Sequence, residues 1–280
     1  MKNFRSILIL ALVATFAFAF TSCQKDGVYN PSKKISRVFY QYPGGNKILQ
    51  GTFIWNKNKL EKIDYGDGDI AYYKYDGNQL SSIALDGEVI NFKYDGSKLS
   101  KIEIIYDGQM EESIVVTHDG NKISKIVITE YDVDYANYER SIMRKTSNLK
   151  GILPAATCDN IAKKLILDHK KGLKSSDSYT IEFKYDGKNI AEERWVEYGA
   201  TYTYTYDKSN NPFFGLFGEV NGSDYVDFLE SKNNIEKVGC SYNGGYDEFT
   251  YEYSYDGKWP TERRRIEDNN IGETHFYEYE

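Results

Sequence analysis

Few residues in this 280-residue chain have the types and spacing for chemistry. Its cysteines are Cys23, Cys158 and Cys240, and its histidines are His118, His169 and His275. Outside the cytoplasm Cys158 and Cys240 can pair as a disulfide, or both can stay buried thiols, and their spacing decides neither. The segment Asp64-Tyr65-Gly66-Asp67-Gly68-Asp69 gathers carboxylates of the kind calcium takes. It lacks the downstream bidentate glutamate of an EF-hand loop and reads as a solvated turn, and Asp132-Val133-Asp134 is a sparser version. No serine or cysteine sits in a nucleophile elbow, and no HExxH, CxxC, P-loop or GxGxxG occurs. Catalytic residues, cofactor and metal are therefore assigned as none. A glycan hydrolase needs only two carboxylates, and 42 acidic residues leave that alternative open without locating it.

Recognition is the other chemistry available. Sugar rings stack on aromatic faces, and tyrosine hydroxyls supply hydrogen bonds. Trp195 and Tyr198 are flanked by Glu192, Glu193, Arg194 and Glu197, so this pair is the expected ligand-binding surface for a carbohydrate or protein partner. The other aromatics outside the regular pattern are Phe213, Phe214, Phe217 and Tyr225. Three phenylalanines within five residues carry no hydroxyl and read as a core plug or a protein contact.

These groups hang on a repeat. Tyr75-Asp76-Gly77-Asn78-Gln79-Leu80-Ser81-Ser82-Ile83 recurs from Tyr94 to Ile102 and, with His118 in the tyrosine place, from His118 to Ile126. Shorter copies start at Tyr185 and Tyr255, and degenerate ones at Trp55, Tyr206 and Ser231. Asp-Gly between alternating runs marks a hairpin, because glycine takes a positive φ without steric cost. The strands alternate: Ile90, Phe92 and Tyr94 fall on one face, Asn91 and Lys93 on the other. By the same alignment Tyr202, Tyr204, Tyr251 and Tyr253 belong to the apolar face, which must be buried. Leu99 and Ile102 stand three apart rather than two, which predicts a bulge or a leucine plugging the turn. The unit resembles YD-type repeats and, more closely, an uncharacterised class of Bacteroidetes-type lipoproteins, over residues 50–130 and 180–280. The resemblance implies fold and no activity.

The N-terminus sets the address. Lys2 and Arg5 precede an apolar run from Ile7 to Phe20, too short for a membrane span and shaped like an export signal. Phe20-Thr21-Ser22-Cys23 resembles a lipobox, with Phe where the family usually has Leu, and this implies lipid on the Cys23 thiol. Gln24-Lys25-Asp26-Gly27 resembles the sequence that routes Bacteroidetes-type lipoproteins to the cell exterior. Cleavage before Cys23 leaves 33 basic against 42 acidic residues, a net −9. That balance argues against nucleic acid and against electrostatic docking on anionic lipid, so the lipid is expected to do the anchoring.

Together these readings predict a signal peptide over 1–22, a lipidated tether over 23–35 and a repeat domain over 36–280. With 26 tyrosines and 14 phenylalanines, the expected fold is all-β. It is an extended antiparallel meander of hairpins in a curved or partly rolled sheet, with a short helical or irregular insertion at about 131–178. The expected function is a non-catalytic binding module, anchored in the outer membrane, exposed at the cell surface and independent of nucleic acid. The alternatives are a structural spacer and the glycan hydrolase.

Overall fold

The computed structural model describes Tyr29 and residues 31–66, 68–85, 87–131, 178–217, 231–242 and 244–280. Their secondary structure is strand, in chain order β1 (Ile35–Gln41), β2 (Ile48–Asn56), β3 (Lys59–Asp64), β4 (Ile70–Asp76), β5 (Gln79–Leu85) and β6 (Glu88–Asp95). There follow β7 (Lys98–Tyr106), β8 (Gln109–Asp119), β9 (Lys122–Glu130), β10 (Ser178–Asp186) and β11 (Asn189–Trp195). The last five are β12 (Ala200–Tyr206), β13 (Ile235–Tyr242), β14 (Gly245–Asp256), β15 (Trp259–Glu267) and β16 (Asn270–Tyr279).

The expected open, curved or partly rolled sheet is corrected: the meander closes. Each strand pairs antiparallel with the next, and β1 pairs with β16 from Ile35↔Tyr279 to Gln41↔Thr274, giving a 16-strand barrel. The physical reason is that a twisted sheet this long leaves two edges of unpaired N–H and C=O groups, and closure satisfies both. The expected insertion falls almost wholly outside the described residues, as do the signal segment, Cys23 and Cys158.

The repeat accounts for each hairpin. In β4–β5, Lys74 pairs with Ser82 but Tyr75 pairs with Leu80, so Ser81 is the extra residue of a bulge. The same shift follows Ile54, Lys93, Thr117, Lys184 and Ser254. The bulge is why Leu80 and Ile83, three apart, both point inward and are buried. Ser100, Ser124 and Thr261 occupy the bulge position and donate to the carbonyls of Lys93, Thr117 and Ser254.

The glycines of these turns have φ between 56° and 62° (Gly77, Gly96, Gly120, Gly187, Gly257), and the residues after them are not left-handed. One positive φ, at the first loop position, is the type II′ pattern.

Adjacent hairpins are stapled in both directions. The repeat tyrosine reaches back: Tyr75 Oη donates to Leu60 O at 3.0 Å and Tyr185 to Ile123 O at 2.8 Å. In the last copy Tyr255 reaches the Asp207 carboxylate instead, and Tyr253, two residues before it, donates to Ile235 O at 2.7 Å. His118 Nε2 meets Leu99 O at 2.7 Å, doing the work of the tyrosine it replaces. The residue after the turn reaches forward. Lys59 donates to Gly77 O, Gln79 to Gly96 O at 2.8 Å, Lys98 to Gly120 O at 2.5 Å and Lys122 to Gly187 O at 2.6 Å. The signature Tyr-Asp-Gly-x-Lys-Leu-Ser-x-Ile is thus a hairpin together with its two bridges.

The apolar rows face inward. Phe53, Ile63, Ala71, Tyr73, Ile83 and Ile90 lead round the wall, and the belt continues to Tyr251 and Tyr277. The outer surface carries ion pairs, including Lys93–Glu103 at 2.7 Å, Lys184–Glu192 at 2.8 Å and Lys237–Glu248 at 2.7 Å. A ring of 16 strands is too wide for its own side chains to fill. The chain after β12 enters it. Phe213 lies edge-on to Tyr277 of β16 at 5.7 Å, and Phe217 lies edge-on to Phe92 of β6 at 4.6 Å. Tyr73 of β4 donates to Phe217 O at 2.9 Å. Within five residues the segment crosses the lumen, with Phe213, Leu216 and Phe217 buried. Each such side chain contributes roughly 1.5–3 kcal/mol. Of the two readings of these phenylalanines, the plug is the one found.

Candidate functional site

The bulge that orients Leu80 and Ile83 also fixes what stands at the equivalent inward slots elsewhere. Three residues after Leu60, Leu80, Leu99 and Ile123 come Ile63, Ile83, Ile102 and Ile126, all buried. Three residues after Ile190 comes Glu193, and three after Pro260 comes Arg263, both also buried. Two further on, where β7 and β9 carry Ile104 and Ile128, β11 carries Trp195 and β15 carries Arg265. At these slots on β11 and β15 the wall therefore turns polar while its geometry is unchanged.

Trp195 consequently points toward the interior and packs against the core. Its ring stacks on Tyr179 at 5.7 Å with 11° between planes. Tyr198 and Tyr202 approach edge-on at 6.0 and 6.2 Å. One face of the indole is thus taken by a neighbour, and its Nε1 is buried with no hydrogen-bond partner among the described residues. Tyr198 is half-buried in the turn between β11 and β12, where Val196 and Glu197 are exposed and Gly199 has φ +60°. The Glu197 carboxylate accepts the Thr180 N–H at 2.7 Å, fixing this turn to β10. The two residues expected from sequence do come together, as the outer half of a four-ring cluster and not as an open platform.

The second polar grouping lies on β14–β16. Arg263 sits over the Tyr251 ring at 4.5 Å and Arg265 over the Phe249 ring at 4.3 Å. Arg263 Nη2 donates to His275 Nδ1 at 3.0 Å, which requires that nitrogen to be unprotonated. Burial, and then the Arg263 charge, hold His275 well below the usual imidazole range, consistent with that tautomer. Glu273 lies 3.9 Å from Arg263, beyond hydrogen-bond range, and burial pushes its carboxyl up. A neutral imidazole thus accepts from a guanidinium that also lies over an aromatic ring. Sequence reading missed Arg263, Arg265 and His275. The signal was present, because the leucine-to-isoleucine spacing of the repeat puts Arg263 inward.

Other candidates resolve locally. The Asp64 carboxylate accepts the Gly66 N–H of its own turn at 3.0 Å, and Tyr65 N–H bonds Asp69 O at 3.0 Å. Among the described residues no three His, Cys, Asp or Glu side chains gather as metal ligands. Cys240 is buried with a free thiol whose pKa burial raises. Cys158, the cysteine with which sequence left pairing open, lies outside the described residues.

No family model matches the chain, and no curated protein does. Solved structures do. A porin-like protein from Bacteroides uniformis aligns with 91% of this chain and all of its own, with a TM-score of 0.51 and 11% identity. The chain has that protein's barrel fold. A porin-like protein from Bacteroides vulgatus aligns over 89% of this chain and 99% of its own, at a TM-score of 0.45 and 12% identity. Likeness at this identity concerns the fold alone.

Proposed function

We propose that the chain is an outer-membrane lipoprotein of the YD-like repeat class, held by lipid on Cys23. Its barrel stands outside the bilayer as a non-catalytic binding module for a carbohydrate or protein partner. The observation that carries this reading is the polarity of the wall. A barrel that crosses a membrane turns an apolar band about 25 Å tall outward. Here the isoleucine rows face inward, and Lys93–Glu103–Lys101, Lys184–Glu192 and Arg37–Glu278 pairs face out. Burying those charges in hydrocarbon is costly, so attachment falls to the N-terminal lipid. The surface on which a partner is sought is the rim around Tyr198, Glu197 and the edge of Trp195.

The test has two arms. Cys23→Ala is expected to move the protein from the membrane to the soluble fraction and abolish palmitate labelling. Retention of that variant in the membrane would exclude the anchor. Tyr198→Ala with Trp195→Phe keeps an aromatic filling the inward slot and removes the half-buried rim tyrosine. Its glycan-array and titration signals are expected to fall below those of the parent. Equal binding, or none by the parent, would remove this surface and leave a spacer.

A further inference from the structure

We propose that the rim built by the repeat turns is the membrane-facing end of the barrel, seated on phosphate headgroups of the bilayer that holds the Cys23 lipid. The proposal rests on the lipid anchor and adds an orientation to it.

The topology sorts the connections into two kinds. Every Asp-Gly repeat turn, the start of β1 and the end of β16 lie at one rim. The connections β1–β2, β3–β4, β5–β6, β7–β8, β11–β12, β13–β14 and β15–β16 lie at the other, with Trp195 and Tyr198. The chain entering β1 is fastened to the repeat rim well before the strand begins. Tyr29 is buried, its hydroxyl donates to Pro212 O at 2.5 Å, and its ring lies 5.3 Å from Trp55. Lys33 pairs with Asp256 at 2.7 Å, and Lys34 donates to Lys57 O. Only six peptide steps separate Cys23 from Tyr29, a reach of at most about 20 Å. The free tether is therefore shorter than the nominal 23–35 segment, and the repeat rim stays near the lipid.

The net charge of −9 averages over two unlike ends. At the repeat rim Lys34, Lys59, Lys98 and Lys122 are each tied to a turn carbonyl. An ammonium has three N–H donors, so each keeps two for phosphate. Lys188 and Lys258 are exposed beside them, and together the lysines offset the repeat aspartates. The opposite rim exposes Asp69, Asp107, Glu197, Glu248 and Asp268. Anionic headgroups repel that end and attract the lysines of the other. The expectation from total charge, that electrostatics plays no part in docking, thus applies to the molecule as a whole and not to this rim.

Mature protein reconstituted in vesicles of phosphatidylethanolamine and phosphatidylglycerol, treated with a short amine-to-amine crosslinker and peptide-mapped, tests the orientation. Lipid adducts are expected at Lys188 and Lys258 several-fold above Lys47, which is exposed at the opposite rim. Replacing phosphatidylglycerol with phosphatidylcholine is expected to narrow the ratio. Equal adducts, or more at Lys47, would overturn the orientation. An unchanged ratio in neutral vesicles would overturn the phosphate contact. Intact mass separates the two readings: a vesicle-bound chain without acyl mass refutes the anchor, whereas an acylated chain with Lys47 adducts refutes only the orientation.

Discussion

Replacing Lys57 with glycine should make this protein more stable, although it deletes a whole side chain. Lys57 fills the glycine place in the degenerate first copy of the repeat and has φ 55°, within a degree or so of Gly77 at 56°. A left-handed conformation costs a side-chain-bearing residue about 1–2 kcal/mol. Glycine removes that cost but gives back about 0.5–1 kcal/mol through the greater freedom of its unfolded chain. The balance is a gain of about 1 kcal/mol, or about 2–4 °C in Tm for a domain of this size. Nothing else is lost, because Lys57 is exposed and Lys34 holds its backbone carbonyl. The reciprocal change isolates the cause. A Cβ built on Gly96 meets nothing within 4 Å, so Gly96→Lys brings strain without a clash and should cost about the same amount. Gly96→Val, β-branched, should cost about 1–3 kcal/mol. Urea titration followed by tryptophan fluorescence measures all three, with m-values checked for constancy. A neutral or destabilising Lys57→Gly, together with a neutral Gly96→Lys, would refute the positive-φ turn on which the hairpins rest.

Leu60→Ala empties a fully buried turn plug and should cost about 3–5 kcal/mol, read from the same titrations. Burial pushes Tyr94 up to about 12, drives Tyr75 and Tyr279 higher still, and holds Tyr253 well above its ordinary value. Above pH 10, where unfolded tyrosines ionise, the unfolded chain releases protons that the folded one keeps, so stability should hold to about pH 10 and fall beyond it. A urea midpoint unchanged between pH 9 and pH 11 would contradict this. His275 has the opposite sense: below its ordinary value of 6.5 only the unfolded chain takes the proton, so stability should decline as pH falls through 6.5. His275→Gln should flatten that decline in a pH series of melts, and an unchanged slope would place the proton elsewhere.

Much of the wall was legible because its determinants are local. Ile90 and Phe92 alternate with Asn91 and Lys93, and the three-residue step from Leu99 to Ile102 announces the bulge. Closure was not legible, since the pairing of Val38 with Tyr277 depends on residues at opposite ends of the chain and leaves no trace near either. The forward staples were hidden for a related reason. Lys98 reads as an exposed turn lysine, and its role appears only when the next hairpin brings Gly120 O within reach. Trp195 was singled out as an aromatic outside the ladder, yet alignment with Ile104 and Ile128 puts it on the inward row, which explains its stacking on Tyr179. Arg263 and Arg265 were passed over because arginine on a strand reads as solvent-facing. Their burial over Tyr251 and Phe249 follows from the repeat's frame rather than from residue type.

The seam between β1 and β16 has a consequence for how the molecule is assembled. Most strands dock on the strand just made, which keeps sequence separations small and favours fast, stepwise growth of the sheet. The exception is the last step, when Glu280 N–H meets Lys34 O at 3.0 Å and the ends of the described sheet come together. Until then the growing sheet carries two open edges able to recruit another chain. Loss of the final strand would leave β1 and β15 permanently in that state. Premature stops near residue 270 should therefore produce aggregation rather than a slightly smaller barrel. Conversely, since the ends already touch, a chain joined there and reopened at the Gly244 turn keeps every strand pairing.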